Sequence, residues 1–514
     1  VEKKWWTLLV VCGATFMLLL DVTIVIVALP EIQRGLHASF SDIQWVIDAY
    51  ALTLASLLLT AGTLADRYGR RLLFIIGLSI FTLGSLLCGF AQSPLMLTLS
   101  RSAQGVGGAI LFATSLALLA QSFRGKDRGV AFGVWGAITG VAVALGPILG
   151  GVITTGISWR GIFLVNIPFG IAAIIITIMK VDESRTPQAS RPDWAGFAIL
   201  TVGLISLVYG LIRASETTWG NVGVIVCLIV AAALFLTFVA VELHSEHPMF
   251  DLGLFRIPTF SGGLAAAFAM NGSLFAMLLY IVLYLQNDLG YSALATGARL
   301  LVTSGGTLVA ATIAGRLSSH MPVRWLIGPG LALVGIGLLL MSGINANTSW
   351  THLIPGFIVA GVGAGMVNPP LASTAVGVVT PDRSGMASGV NTTFRQIGIA
   401  VGIAAYATIF SSELQKGLGH SLDQIKAVGN TAVAWNLHHV VTLVKEGQAS
   451  EVIKSTPAAF RPQLVHALQT SFTGALNDLF VVSGTLALVG AVFAMVFIRP
   501  KDFVSQHQAA GPSH

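Results

Sequence analysis

The chain has 514 residues, 54% of them hydrophobic and only 10% charged, with a mean hydropathy of +0.82. A soluble domain carries about 25% charged residues, so a soluble domain is excluded and nearly the whole chain is committed to a bilayer. The net charge of +6 sits in short loops between apolar runs and signals no nucleic-acid partner, and Cys12, Cys88 and Cys227 stand singly, with no spacing for a disulfide frame or a metal site.

Fourteen apolar runs follow one another, at 5–29, 44–64, 72–91, 95–121, 129–153, 161–180, 194–213, 221–242, 257–285, 295–317, 324–343, 351–371, 385–411 and 476–498. They predict an all-α polytopic membrane protein. The first run follows Lys3 and Lys4 without a small-residue cleavage site, so it is expected to remain as a helix. Alternate loops are basic: Arg67, Arg70 and Arg71; Arg124, Lys126 and Arg128; Lys180, Arg185 and Arg191; Arg316 and Arg324; Arg499 and Lys501. The loops between them carry little beyond Arg34, Arg160 and Arg213. The positive-inside rule therefore places both termini in the cytoplasm of a protein of the inner (cytoplasmic) cell membrane. The polar stretch 412–475 falls outside. There Leu414–Val428, Thr431–Leu443 and Pro457–Leu468 read as weakly amphipathic helices, forming either a solvated cap or a lid over the outer mouth, with His438 and His439 on its surface.

An internal repeat divides the chain. Ala61-Gly62-x-Leu64 recurs as Ala314-Gly315-x-Leu317, Gly105-Val106-Gly107 as Gly361-Val362-Gly363, and Asp127-Arg128 as Asp382-Arg383, at an offset of about 255 residues. The reading is a six-helix bundle over 1–185, two inserted spans over 186–250, and a second six-helix bundle over 251–514. Paired halves of this kind build alternating-access transporters, with the site between them near the midplane.

Within the fifth run, Gly136, Gly140, Gly146, Gly150 and Gly151 surround Pro147. Glycines four apart make a smooth strip on which another membrane helix packs closely, and Pro147 bends the helix where a neighbour covers the freed carbonyl. Ionisable residues inside spans are costly and therefore functional candidates. Asp21, Asp48 and Arg101 fall at similar depth, roughly 6–12 Å inside one edge of the core, which predicts one cluster in which Arg101 pairs with Asp21 or Asp48. Protonating the carboxylate would release the pair. Arg395 lies near the midplane of the second half, where it would hold an anionic group or a backbone carbonyl, or serve packing alone. Tyr50, Phe112, Trp135, Phe275, Tyr280, Tyr284, Gln286, Asn368, Asn391 and Arg395 are candidates to line a cavity, and Trp5, Trp6 and Trp45 to sit at the membrane interface.

The loop Gly62-Thr63-Leu64-Ala65-Asp66-Arg67-Tyr68-Gly69-Arg70-Arg71 closely resembles the cytoplasmic signature of the major facilitator superfamily. Leu20-Asp21-x-Thr23-x-Val25-x-Val27-Ala28-Leu29-Pro30 looks like the first-span motif of its fourteen-helix drug:proton antiporters, and Arg101-x-x-Gln104-Gly105-x-Gly107-Gly108 resembles the superfamily's fourth-span motif. The glycine-proline stretch resembles the fifth-span motif of exporters. Trp159-Arg160-x-Ile162-Phe163-x-x-Asn166-x-Pro168 and Asp193-Trp194-Ala195-Gly196 also look like this branch. Two positions depart from the pattern: Leu111-Phe112-Ala113 where a proline is common, and Ser319 where Asp66 would repeat. The resemblance implies two six-helix bundles plus two inserted helices. It also implies a cytoplasmic gate of Gly62, Asp66, Arg67, Gly69, Arg70, Asp127 and Arg128, with proton coupling through Asp21, Asp48 and Arg101. The function it implies is export of hydrophobic or amphipathic small molecules by a monomer driven by the proton gradient, with no cofactor. The chain shows no GxxxxGK[ST] phosphate loop and no catalytic triad. A lipid or glycolipid translocator of the same fold, or a membrane sensor that binds without transport, are the alternatives.

Overall fold

Each long apolar run becomes a helix, because in oil a backbone amide finds its partner only within its own segment. The computed structural model describes residues 2–123, 125–184, 193–245, 251–318, 321–379, 384–428, 437–445, 449–456 and 458–503. Its fourteen long helices are α1 (Lys3–Leu36), α2 (Phe40–Tyr68), α3 (Arg70–Gly89), α4 (Pro94–Ser122), α5 (Gly125–Gly156), α6 (Gly161–Lys180), α7 (Trp194–Glu216), α8 (Val222–His244), α9 (Pro258–Asp288), α10 (Ala293–Leu317), α11 (Arg324–Leu340), α12 (Ile354–Gly377), α13 (Ser384–Val428) and α14 (Arg461–Phe497). Local chemistry sets their ends. Ser39 and Asp42 form a capping box at the start of α2, and Ser93 caps α4, whose first residue is Pro94. Gly69 turns the chain between α2 and α3 at φ +125°, in the region that favours glycine. α6 is interrupted at Val165, because Pro168 has no amide to offer the Leu164 carbonyl. α9 widens into π turns at Asn271–Phe275 and Tyr284–Asp288.

The packing repeats with the sequence. In the first half α2 packs on α4, α3 on α4 and α6, and α1 on α5; eight helices later α10 packs on α12, α11 on α12 and α14, and α9 on α13. The inserted pair α7–α8 lies against α2 and α13 through α7. α8 exposes Val222, Ile225, Val226, Ile229 and Leu236, an apolar face that belongs in lipid. The two halves meet along two seams, α2 with α13 and α5 with α10. These seams are exchanged by the same eight-helix shift, so the halves embrace through equivalent surfaces.

Close approach of α5 to its neighbours on both faces depends on missing side chains. A Cβ on Gly146 would strike the Thr23 hydroxyl, and one on Gly150 would lie 2.8 Å from the Ile24 carbonyl, so α5 sits directly on α1. On its other face a Cβ on Gly151 would meet Leu294 Cα at 2.6 Å, and one on Gly297 would strike the Pro147 carbonyl. Gly136, Gly140, Asp127 and Arg128 are described as backbone of α5 alone, and Ser319, Asp382 and Arg383 lie outside the described residues.

The last polar stretch differs from its expected form. Leu414–Val428 is no separate helix but the continuation of α13, which runs for 45 residues. Of the expected Pro457–Leu468 helix, Arg461–Leu468 is the start of the 37-residue α14, and Pro457 lies outside the described residues. At 1.5 Å per residue both exceed the ~30 Å hydrocarbon core. Burial of Leu414, Leu418 and Leu422 on α13, and of Leu464 and Leu468 on α14, keeps them paired beyond it. Short helices at Leu437–Lys445 and Ala449–Ser455 lie between. Lys445 anchors the first of these: its carbonyl accepts from Gln33 (3.3 Å), its ammonium donates to Ser411 (3.2 Å) and lies 5.6 Å from the Phe40 ring centre. Trp45, expected at the membrane interface, packs against Tyr209 of α7 at 6.4 Å between ring centres.

Gly146→Val should cost about 3 kcal/mol through overpacking at the α1–α5 contact, read as a fall in the melting temperature of the purified protein in detergent. Gly156→Ala, where an added Cβ meets nothing within 4 Å, should leave that temperature unchanged.

Candidate functional site

Inside the first half, Asp21 of α1 and Arg101 of α4 form a fully buried ion pair. The rest of the guanidinium is also engaged. Nη1 donates to Gln104 Oε1 at 2.9 Å, and Nε donates to the Val46 carbonyl of α2 at 3.1 Å. The Tyr50 ring covers the cation at 4.3 Å and the Phe163 ring lies at 5.9 Å. Around Asp21, Asn166 donates to Oδ1 at 3.2 Å and Gln104 at 3.4 Å; Gln104 also donates to Ser85 at 2.7 Å. The Cys88 thiol closes the network by donating to Gln104 Oε1 at 3.3 Å. One carboxylate thus ties α1, α2, α3, α4 and α6 together. Asn166 reaches it because α6 breaks one residue earlier.

Asp48 lies on the other face of α2. Val46 and Tyr50 are one turn apart and face α4; Asp48, midway between them, is carried about 200° round from each and faces the seam with the second half. It is fully buried and, among the described residues, neither carboxyl oxygen has a hydrogen-bond partner. Gln44, one turn earlier on the same face, is in the same position. Tyr280 of α9 lies close enough to interact electrostatically with Asp48, while its hydroxyl donates to the Ile403 carbonyl at 2.9 Å. Phe40, Tyr280, Tyr406 and Phe410 pack edge to face or tilted around this point, with ring centres 5.7–6.3 Å apart.

At the basic end, Asp66 accepts from Arg70 Nε at 2.9 Å and Nη2 at 2.7 Å. Glu183, just after α6, accepts from the Arg71 and Leu72 amides, both at 3.1 Å, and so caps α3. A Cβ on Gly69 would lie 2.7 Å from the Glu183 carboxylate, which gives this glycine a second reason to be small. Between the halves a cavity of about 40 Å³ is lined by Thr23, Val27, Pro147, Phe275, Leu300 and Ala364 among others. That volume admits a water or two and no drug-sized molecule. The bonds across the halves include Gln286 Nε2 to the Val27 carbonyl (2.8 Å), the Leu294 amide to Thr155 Oγ1 (3.1 Å) and Thr393 Oγ1 to the Ala55 carbonyl (2.9 Å). The first two, with the Phe40–Phe410 cluster and Lys445, lie toward the end opposite the basic loops.

A sequence profile of the Major Facilitator Superfamily matches residues 11–403. The chain belongs to the major facilitator superfamily. Among its relatives, "Multidrug resistance protein Stp" of Mycobacterium tuberculosis (strain CDC 1551 / Oshkosh) is 36% identical over 410 residues, covering 80% of this chain and 76% of the relative. "Tetracenomycin C resistance and export protein" of Streptomyces glaucescens is 30% identical over 511 residues, covering 96% and 91%. A bacterial homologue of the human lysosomal transporter Spinster, solved in an inward-facing and occupied conformation, superposes with a TM-score of 0.63 over 97% of this chain and 98% of the other. At 18% identity that likeness speaks to the fold alone.

For this superfamily member, the expected cluster of three charges resolves into a pair and a separate acid. Tyr50 stacks on Arg101. Among the other cavity candidates Phe275 borders the cavity, while Tyr280 and Tyr284 are fully buried in packing and Gln286 bridges the halves. Trp135 donates to Thr15 at 2.9 Å, and Phe112 packs in the same first-half core. Asn368 and Asn391 hold Arg395. Sequence reasoning did not assign Ser85, Cys88, Asn166 or Glu183 to a site. The available signal was a polar side chain in each of two spans, and one carboxylate set beside the basic Lys180.

Arg101→Leu should lose 3–5 kcal/mol of stability, because it leaves Asp21 buried without a partner. The double variant Asp21→Asn/Arg101→Gln should recover most of it, in thermal unfolding of the purified protein. Asp48→Asn, which removes only an unpaired acid, should match or exceed the wild-type melting temperature.

Proposed function

We propose that the chain is a proton-driven exporter of hydrophobic or amphipathic small molecules, working by alternating access with the basic loops and both termini in the cytoplasm. The observation that carries this reading is the buried Asp21–Arg101 pair, a titratable acid and its ionic partner at the centre of a hydrogen-bond network that spans five helices of one half. Taking up a proton cancels the counter-charge of Arg101 and leaves that cation unbalanced in a low-dielectric core, which forces the surrounding helices to re-pair. In its ionised form the pair then belongs to the deprotonated, substrate-accepting stage of the cycle. Asp48 and Gln44 lie in the seam that must part for the outer side to open, where water would solvate them, so Asp48 serves as a second acid that senses the opening. Support for export comes from relatives named for multidrug resistance, drug efflux and resistance-and-export. The Asp66–Arg70 pair and the Glu183 cap supply the charge contacts from which a cytoplasmic gate is made.

The test is the full chain in liposomes loaded with ethidium under an imposed pH gradient. Wild type should move ethidium against its gradient with counterflow of protons, and Asp21→Asn should lose at least tenfold of that rate while keeping its folded yield. Undiminished proton-driven transport in Asp21→Asn, or lipid scrambling in place of ethidium movement, would overturn the reading.

A further inference from the structure

We propose that Arg395, Asn368 and Asn391 form an anion-recognition site, and that the exporter prefers acidic amphiphiles: molecules with an apolar ring system and one carboxylate or similar oxyanion. This rests on the export reading and names the substrate class for it. Arg395 lies about 16 Å along α13 from its start at Ser384, near the middle of the bilayer core. Its Nε donates to Asn391 Oδ1 at 3.1 Å, its Nη1 to Asn368 Oδ1 at 3.0 Å and its Nη2 to the Asn368 carbonyl at 3.5 Å. Among the described residues it forms no ion pair, in contrast to Arg101, whose charge is balanced by Asp21.

The polarity of this cluster is one-sided. Both asparagine side-chain oxygens are turned toward the guanidinium, so both amide groups point away from it. Asn391 Nδ2 is buried without any acceptor, on a residue only 3% exposed. Arginine has no acceptor and each amide nitrogen donates twice. The cluster therefore presents donors and a positive charge with nothing of opposite sign to receive them. A half-buried cation with no counter-ion among the described residues is costly at this depth, and an ionisable group there marks a ligand or ion path. An oxyanion is the group that satisfies both the charge and the surplus donors.

Its place relative to the cavity sets the rest of the ligand. Ala364 of α12 lines the cavity, and Asn368 lies one turn further along the same face. Ile26, Leu274, Leu278 and Leu300 supply an apolar wall for the ring system. An acidic amphiphile would lay its rings there once the halves part, with its anionic group on Arg395.

The experiment is binding to the full chain in detergent, followed by fluorescence, with 1-pyrenebutyrate and its methyl ester as matched probes. Wild type should bind the acid at least tenfold more tightly than the ester. Arg395→Gln should weaken the acid tenfold or more while the ester moves less than threefold. Asn391→Asp, which changes no volume but supplies a built-in carboxylate beside Arg395, should abolish the same preference and keeps the test decisive where Arg395→Gln fails to fold. Arg395→Lys should retain part of it. Equal binding of acid and ester by wild type, or variants that weaken both probes alike, would overturn the anion site. Proton-driven ethidium movement by wild type in liposomes separates the two failures. If ethidium or either pyrene probe is moved while acid preference is absent, this site falls and the export reading stands; if wild type moves none of ethidium, the acid or the ester under the pH gradient, the export reading falls as well.

Discussion

A carboxylate and a guanidinium sealed together inside the first half impose the constraint on which everything else turns. Taking two charges out of water is repaid only when their geometry is good and their remaining hydrogen-bonding capacity is met. Here that capacity is met by a carbonyl from α2, a glutamine from α4, an asparagine from the broken start of α6 and two aromatic rings. The same pair therefore organises five helices, and on the export reading proposed above it is what makes them responsive to one proton. A hydrophobic replacement of equal volume would pack as well and would respond to nothing.

The two seams between the halves do a different job. Each is built from helices that the repeat exchanges, so closing one end and opening the other needs no new kind of contact, only a rocking of one bundle on the other. The α5–α10 seam is held by backbone approach: Gly151 and Gly297 let chains come within reach that any side chain would deny, as Gly146 and Gly150 do for α5 on α1 within the first half. The α2–α13 seam is the reverse case, with Asp48 and Gln44 left unpaired beside Tyr280 and Tyr406. A seam with unsatisfied polar groups is poised to admit water, which suits the side of the molecule that must open.

The halves also differ in charge. Among the described residues, the first holds a balanced pair plus an unpaired acid, and the second holds an arginine with two amides and no counter-ion. Halves that share the same helix packing thus differ in the chemistry they present to the midplane. On the reading proposed above, the first half handles the coupling ion and the second offers a positive surface to whatever occupies the cavity.

Much of this was legible before any coordinates. The fourteen spans, the two related halves and the inserted pair follow from hydropathy and an offset that stays constant, because the bilayer forces every long apolar run into a helix and duplication preserves its order. That Asp21, Asp48 and Arg101 share a depth also follows from counting 1.5 Å per residue. Which of them meet does not, since depth says nothing about azimuth. Helical periodicity in α2 separates Asp48 from Val46 and Tyr50 once it is known which face turns to α4, and only the packed bundle decides that. The same holds for Asn166, which becomes a ligand of Asp21 through a break in α6, and for Glu183, which caps a helix more than a hundred residues away. The continuous α13 and α14 escaped the sequence because their outer turns are polar on one side and bury their leucines only in a tertiary cluster that they share with the short helices between them. The chain by itself determined what crosses the membrane and where its charges lie in depth; tertiary packing alone decided which charges are paired, because pairing depends on helix rotation, and no single helix can set its own.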